Sequence, residues 1–161
     1  MGRYAYDIDL LNTLIGLTMD SAESYDEAAR DSSDRQYAAI CQLWAADRRR
    51  LAESLRQQVR ALGGRPSRRG VQVAAQRLLT EFRHALSRSD LSSIERVARD
   101  EAHLQQRFER ALQDVRLSLP SLTAIETAFV SIKAGHDQAH DLKHSAYGQR
   151  PRSLSARESL R

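Results

Sequence analysis

Apolar residues recur at three- and four-residue steps along most of this chain. No stretch alternates apolar and polar with the period of two that a half-buried strand requires. The pattern predicts five helices. In the first, over about 7–30, Leu11, Leu14, Thr18, Ala22, Tyr25 and Ala29 share one face. The second opens at Ser33 with Gln36 three residues on, a capping-box spacing in which side chains satisfy the free N–H groups of the first turn. Its stripe reads Tyr37, Ile40, Trp44, Asp47, Leu51, Leu55 and Leu62, and Gly63-Gly64 and Pro66 stop it. A basic, glycine-containing loop leads to a shorter helix over about 71–88, carrying Val71, Ala75, Leu78, Leu79, Phe82 and Leu86. Ser89 or Asp90 caps the next long helix, which carries Ile94, Val97, Glu101, Leu104, Phe108, Leu112 and Val115. After a break at Ser118 to Ser121 containing Pro120, the last stripe is Leu122, Ile125, Phe129, Ile132, His136 and Ala139, ending near Tyr147-Gly148.

Four helices of about 24–30 residues span roughly 36–45 Å each. Similar lengths favour side-by-side packing, so the expected fold is all-α: an antiparallel four-helix bundle with a short extra helix connecting the second and third long helices. With that connection returning the chain across the bundle, the second and third long helices run parallel. The expected organisation is a bundle over 1–148 and a flexible basic tail over 149–161. The tail holds only two leucines among its arginines and serines.

Length and charge narrow the picture. With 161 residues, one core can form without disulfide staples. The single cysteine, Cys41, sits among Ile40, Leu43 and Trp44 and reads as a buried, inert thiol, in keeping with a reducing cytoplasm. No apolar run is long enough for a membrane span, and no secretory signal is evident near the first residues. The net charge of +4 is concentrated in the tail, where Arg150, Arg152, Arg157 and Arg161 face one Glu158. A near-neutral body argues against a dedicated nucleic-acid groove. Arg48, Arg49, Arg50, Arg56 and Arg60, with the loop 65–69, make one helix end basic, which reads as a solvated surface or, with the tail, a contact for an anionic partner. Phosphate-binding loops and nucleophile elbows are absent.

Three stripe positions are polar: Asp47, Glu101 and His136, each near the middle of its own helix. A buried lone carboxylate costs several kcal/mol unless it is paired or ligates a metal. These residues are therefore expected to meet each other, to hold a metal, or to lie at the stripe edge. On the first helix Glu23 and Glu27 are the candidates at similar depth.

The segments LLNTLIGLTMDSAESYDEAA, RRRLAESLRQQVRALGG, ERVARDEAHLQQRFERAL and VSIKAGHDQAHDL resemble the bacterial four-helix-bundle proteins of domain-of-unknown-function family 2383, within the ferritin-like superfamily. The resemblance spans about residues 8–145. It implies the site of a di-metal centre, in which two helices each give a Glu and two each give a Glu-x-x-His. Carried over by position, the second helix offers Asp47 but has Arg50 in place of the His. The fourth long helix offers His136 but has Lys133 in place of the Glu. The metal-ligand set so implied is Glu23, Asp47, Glu101 and His136. With two cations where ligands belong, it is expected to be degenerate, Asp47, Glu101, His136 and Arg50 or Lys133 satisfying one another.

His136, His140 and His144 follow each other at i, i+4 and i+8, a spacing that stacks imidazoles and lets a pair chelate zinc, nickel or copper; His140 and His144 form an alternative surface site. Asp100 and His103 share a chelate spacing off the stripe and read as solvated. The functional expectation is a bacterial, cytoplasmic, non-enzymatic structural or interaction protein without a resident cofactor, homodimeric as paired long helices allow. The alternative is an iron, manganese or zinc protein, or a redox or stress protein, using carboxylate and His ligands in the core.

Overall fold

Four helices carry the chain in the computed structural model, which describes residues 2–67 and 89–148. They are α1 (Ala5–Asp31), α2 (Arg35–Ala61), α3 (Ser89–Leu112) and α4 (Leu119–Gly148), and no strand occurs among the described residues. The expected short helix over 71–88 and the tail over 149–161 lie outside the described residues.

Two hairpins, α1–α2 and α3–α4, make the most extensive contacts, and α1–α3 and α2–α4 close the bundle. Along α1 and α3 the paired residues run in opposite senses: Tyr6 with Asp114, Ser21 with Glu101, Glu27 with Arg96. Both α2 and α3 are therefore antiparallel to α1 and parallel to each other across the diagonal, as the pattern predicts.

Local chemistry sets the helix ends. Asp34, and not Ser33, caps α2: its Oδ1 accepts from the Gln36 N–H at 2.8 Å and the Tyr37 N–H at 3.2 Å. The Ser32 hydroxyl oxygen accepts from the Asp34 N–H at 3.0 Å, fixing the turn. At the other end Gly63 adopts φ 81°, Gly64 N–H reaches the Val59 carbonyl and Gly63 N–H the Arg60 carbonyl, both at 2.9 Å. This is the left-handed stop that favours glycine. Helix α3 ends at Leu112, short of Val115, which is 96% exposed. There the Asp114 carboxylate accepts from the backbone and guanidinium of Arg116 and from the Tyr6 hydroxyl, turning the chain before the next helical step. The start of α4 is held across the bundle by the buried Asp7, which accepts from the Ser118 N–H at 3.1 Å and from the hydroxyls of Ser118 and Ser121. Burial pushes the Asp7 carboxyl up, but these donors outweigh it and hold it below its ordinary value.

The inward faces of α2 and α4 differ from the expected stripes. In α2 the buried line is Tyr37, Cys41, Ala45, Arg48, Ala52, Leu55 and Val59. Trp44 and Leu51 flank it, half-buried. In α4 the line is Ile125, Ala128, Ile132, Gly135 and Ala139, with Phe129 and His136 to one side. In each helix the central inward residue is one position from the expected polar one, Arg48 beside Asp47 and Gly135 beside His136, while Tyr37, Leu55, Ile125, Ile132 and Ala139 lie on both lines. Small residues at the contact let helix axes approach closely, and the large ones seal the flanks.

Two apolar clusters result. One gathers Leu11, Leu14, Ile15, Leu55, Phe108, Ile125 and Ile132 with their neighbours; the other gathers Tyr25, Ala28, Tyr37, Cys41, Ala45, Val97 and Ala139. In the second, Tyr25 packs edge-on to Trp44 with ring centroids 5.2 Å apart, and burial pushes the Cys41 thiol up. Between the two clusters the bundle buries polar side chains: Thr18 and Ser21 in α1, Arg48 in α2 and Glu101 in α3, with Gly135 opposite them in α4.

Candidate functional site

One residue of each helix meets in a polar contact between the clusters: Ser21 from α1, Arg48 from α2, Glu101 from α3 and Gly135 from α4. Arg48 and Glu101 are each 1% exposed. They meet in a two-pronged contact, Arg48 Nη2 donating to Glu101 Oε2 at 2.5 Å and Nε donating to Oε1 at 3.3 Å. The Ser21 hydroxyl donates to the same Oε1 at 2.6 Å. On the far side, Arg48 Nη1 donates to Asp47 Oδ2 at 3.0 Å. Asp47 also accepts from the Ser131 hydroxyl at 2.7 Å and from Arg50 at 3.0 Å. A continuous polar chain thus leads from Ser21 in the interior to Arg50 on the surface.

Gly135 makes room for this chain. A Cβ built there overlaps Arg48 Nη2 and lies 3.2 Å from Glu101 Oε2. Burial would lower the guanidinium, but the charge and hydrogen bonds of Glu101 hold Arg48 above its ordinary value. Close by, burial followed by the Glu101 charge pushes the buried Tyr25 hydroxyl up.

The structure separates the four residues of the implied metal set. Glu101 alone faces the centre. Asp47 sits at the α2–α4 seam and touches Glu101 only through Arg48. Glu23 is exposed on α1. His136 lies on the outer side of α4, its Nδ1 3.1 Å from Asp137 Oδ1. Among the described residues no three His, Cys, Asp or Glu side chains gather where they could hold an ion. The donor set does not fit a di-metal centre: the one central carboxylate already receives three donors, and the group beside it is a permanent cation. Arg50, itself exposed, contacts Asp47, and Lys133 is exposed.

Arg48 was expected on a solvated basic surface and is instead among the largest fully buried side chains. Its neighbours Arg49, Arg56 and Arg60 pair with Asp26 and Glu53. Residues 68 and 69 of the basic loop lie outside the described residues. A signal for Arg48 exists in the sequence. It lies seven residues after Cys41 and seven before Leu55, on a line of small residues. Gly135 supplies another, because a glycine inside a helix costs about 1 kcal/mol and usually marks a close approach.

A second polar cluster lies along α1 and α3. Asp100 accepts from the Ser24 hydroxyl at 2.9 Å, and Asp20 lies within reach of the charges of Glu23 and Asp100. Burial, then Glu23, then Asp100 push Asp20 up to about 7. An unfolded Asp titrates near 3.9. Between those values the folded chain holds a proton that the unfolded chain has lost, so this group makes stability fall as pH rises from about 4 to about 7. Asp20→Asn is expected to be more stable than wild type at pH 8, with the advantage shrinking toward pH 5. Melting temperatures of both proteins across that range measure it, and a difference independent of pH would rule out the assignment.

On the other side of α3, a cleft of about 410 Å³ against α4 is lined by Glu95, Ala98, Arg99, His136, His140 and Lys143. His136 and His140 stack with centroids 6.2 Å apart, and the Nε2 atoms of His140 and His144 approach to 2.9 Å.

Among the described residues no helix is long and apolar enough to cross a membrane. No protein with a curated description matches the chain. Among solved structures, it is similar to a two-domain protein from Anabaena variabilis containing DJ-1/ThiJ/PfpI-like and ferritin-like domains, with a TM-score of 0.71 and 13% identity. That match covers 96% of this chain and 41% of the other, and it shows a ferritin-like fold. The model of the domain of unknown function DUF2383 matches residues 7–114, most of the bundle, and the chain therefore belongs to that family.

Proposed function

We propose that this chain is a bacterial, cytoplasmic ferritin-like bundle that acts as a non-enzymatic structural or interaction protein, its centre closed by an ion pair where a ferritin-like oxidase holds metal. One observation carries this reading: the two-pronged contact of Arg48 on Glu101, with both side chains 1% exposed. Every acceptor oxygen of Glu101 is engaged and its charge is compensated. Such a carboxylate neither binds a cation nor takes a proton from a substrate. What the layer supplies is specificity of packing, because the pair is satisfied only when α2, α3 and α4 keep this register.

The reading retains the expected homodimer, which light scattering on the purified chain measures. Its decisive test is metal content. Untagged protein reconstituted with iron(II) or manganese(II) is expected to carry no stoichiometric metal by elemental analysis. Stoichiometric iron or manganese that disappears in Glu101→Ala or His136→Ala would instead establish the metal-binding alternative built on Glu23, Asp47, Glu101 and His136.

A further inference from the structure

The central pair accounts for the bundle interior but not for the histidines along the outer side of α4. His140 and His144 are one helical turn apart and exposed, and their Nε2 atoms converge to 2.9 Å. With both rings neutral, that contact is a hydrogen bond from one Nε2–H to the lone pair of the other. If both rings carry the proton on Nδ1 instead, two lone pairs point at one place. We propose that His140 and His144 form a bidentate surface site for a divalent late transition metal, copper(II) or nickel(II), independent of the bundle centre.

The separation suits such a metal. At metal–imidazole bonds of about 2.0–2.1 Å, nitrogens 2.9 Å apart subtend an angle of about 90° at the ion. That is the cis angle of the tetragonal geometry preferred by copper(II) and nickel(II). A tetrahedral zinc would need the nitrogens roughly 3.3 Å apart. His136 is not a third ligand. Its ring stacks on His140 at 6.2 Å, and its Nδ1 faces Asp137. It orients the His140 ring, and solvent takes the remaining positions. The residues of the site are separate from Ser21, Arg48 and Glu101, so it stands or falls without touching the proposal for the core.

The test uses the untagged full chain at pH 7.5 with copper(II) as the probe, followed by calorimetry with nickel(II). The copper spectrum by electron paramagnetic resonance is expected to show coupling to two imidazole nitrogens. Groups that only orient a ligand are worth about 10–100-fold in affinity, so removing a ligand outright in His140→Ala or His144→Ala is expected to cost at least about tenfold. It should also abolish the two-nitrogen signature. His136→Ala should keep the signature and lose less affinity than either ligand variant. The proposal is overturned if His140→Ala binds nickel as wild type does, if the two-nitrogen pattern survives in it, or if His136→Ala abolishes the pattern.

Discussion

Replacing Arg48 with alanine is expected to lower folding stability by about 3–5 kcal/mol, because it leaves Glu101 buried without its counter-charge. For a chain of this size that is a fall of roughly 6–20 °C in melting temperature. The loss does not reflect the worth of the pair itself. Taking two charges out of water costs most of what their attraction returns, so a buried pair and a well-packed apolar pair of similar volume are close in free energy. The double substitution Arg48→Met/Glu101→Met is therefore expected to melt near wild type or above it, Met being flexible enough to fill the vacated space. Thermal unfolding of wild type, Arg48→Ala and the double variant decides the matter. If Arg48→Ala melts within a degree or two of wild type, Glu101 has access to water and the closed centre described above is wrong.

The same comparison separates stability from specificity. A double-methionine variant that is stable yet populates more than one packing, seen as broadened side-chain resonances, would locate the role of the layer in fixing helix register. A stable and uniquely folded one would leave the pair as a feature the fold tolerates.

The sequence made the bundle legible because its evidence is redundant. Four long stripes, the stop at Gly63-Gly64 and the break before Pro120 all point to four helices, and an error of a residue at any end leaves the topology unchanged. The centre had no such redundancy. Glu101 lies inward because in α3 the stripe through Val97, Leu104 and Phe108 is also the buried line. In α2 the largest apolar residues, Trp44 and Leu51, pointed to Asp47 as the inward polar residue, but they sit at the seams. The inward line is made of Cys41, Ala45 and Ala52, whose small size draws little weight in any hydrophobicity pattern. A rotation of less than the roughly 100° of one residue, which leaves Tyr37 and Leu55 inward, exchanges Asp47 for Arg48. It turns an expected carboxylate cluster into an ion pair. In α4 the shift is smaller and opposite in sense: Ile125, Ile132 and Ala139 stay inward, and Gly135 takes the central place expected of His136. Which side of a helix faces its neighbour depends on how near that neighbour can come, and only the assembled bundle fixes that distance.

Gly135 gives the sharpest check on that geometry, because the sign of its substitution depends on Arg48. In a helix interior, Gly→Ala ordinarily stabilises by about 1 kcal/mol. Here the new Cβ overlaps Arg48 Nη2, which hydrogen bonds to Glu101 hold in place. Overpacking costs typically 1–3 kcal/mol, so Gly135→Ala in the wild-type chain is expected to be destabilising by about 1 kcal/mol net. In an Arg48→Ala/Glu101→Met background the obstructing guanidinium is gone and no charge is left buried. The same substitution then enters empty space and recovers the ordinary gain of about 1 kcal/mol. The cycle should show a coupling of about 2 kcal/mol, within the range seen for residues in direct contact. Denaturant unfolding of the four proteins measures it, with equal slopes confirming that the unfolded states are comparable. If α2 and α4 were instead turned as the largest apolar residues suggest, Gly135 would face solvent. Alanine would then stabilise both backgrounds alike, with no coupling, and the ion-paired centre would have to be abandoned.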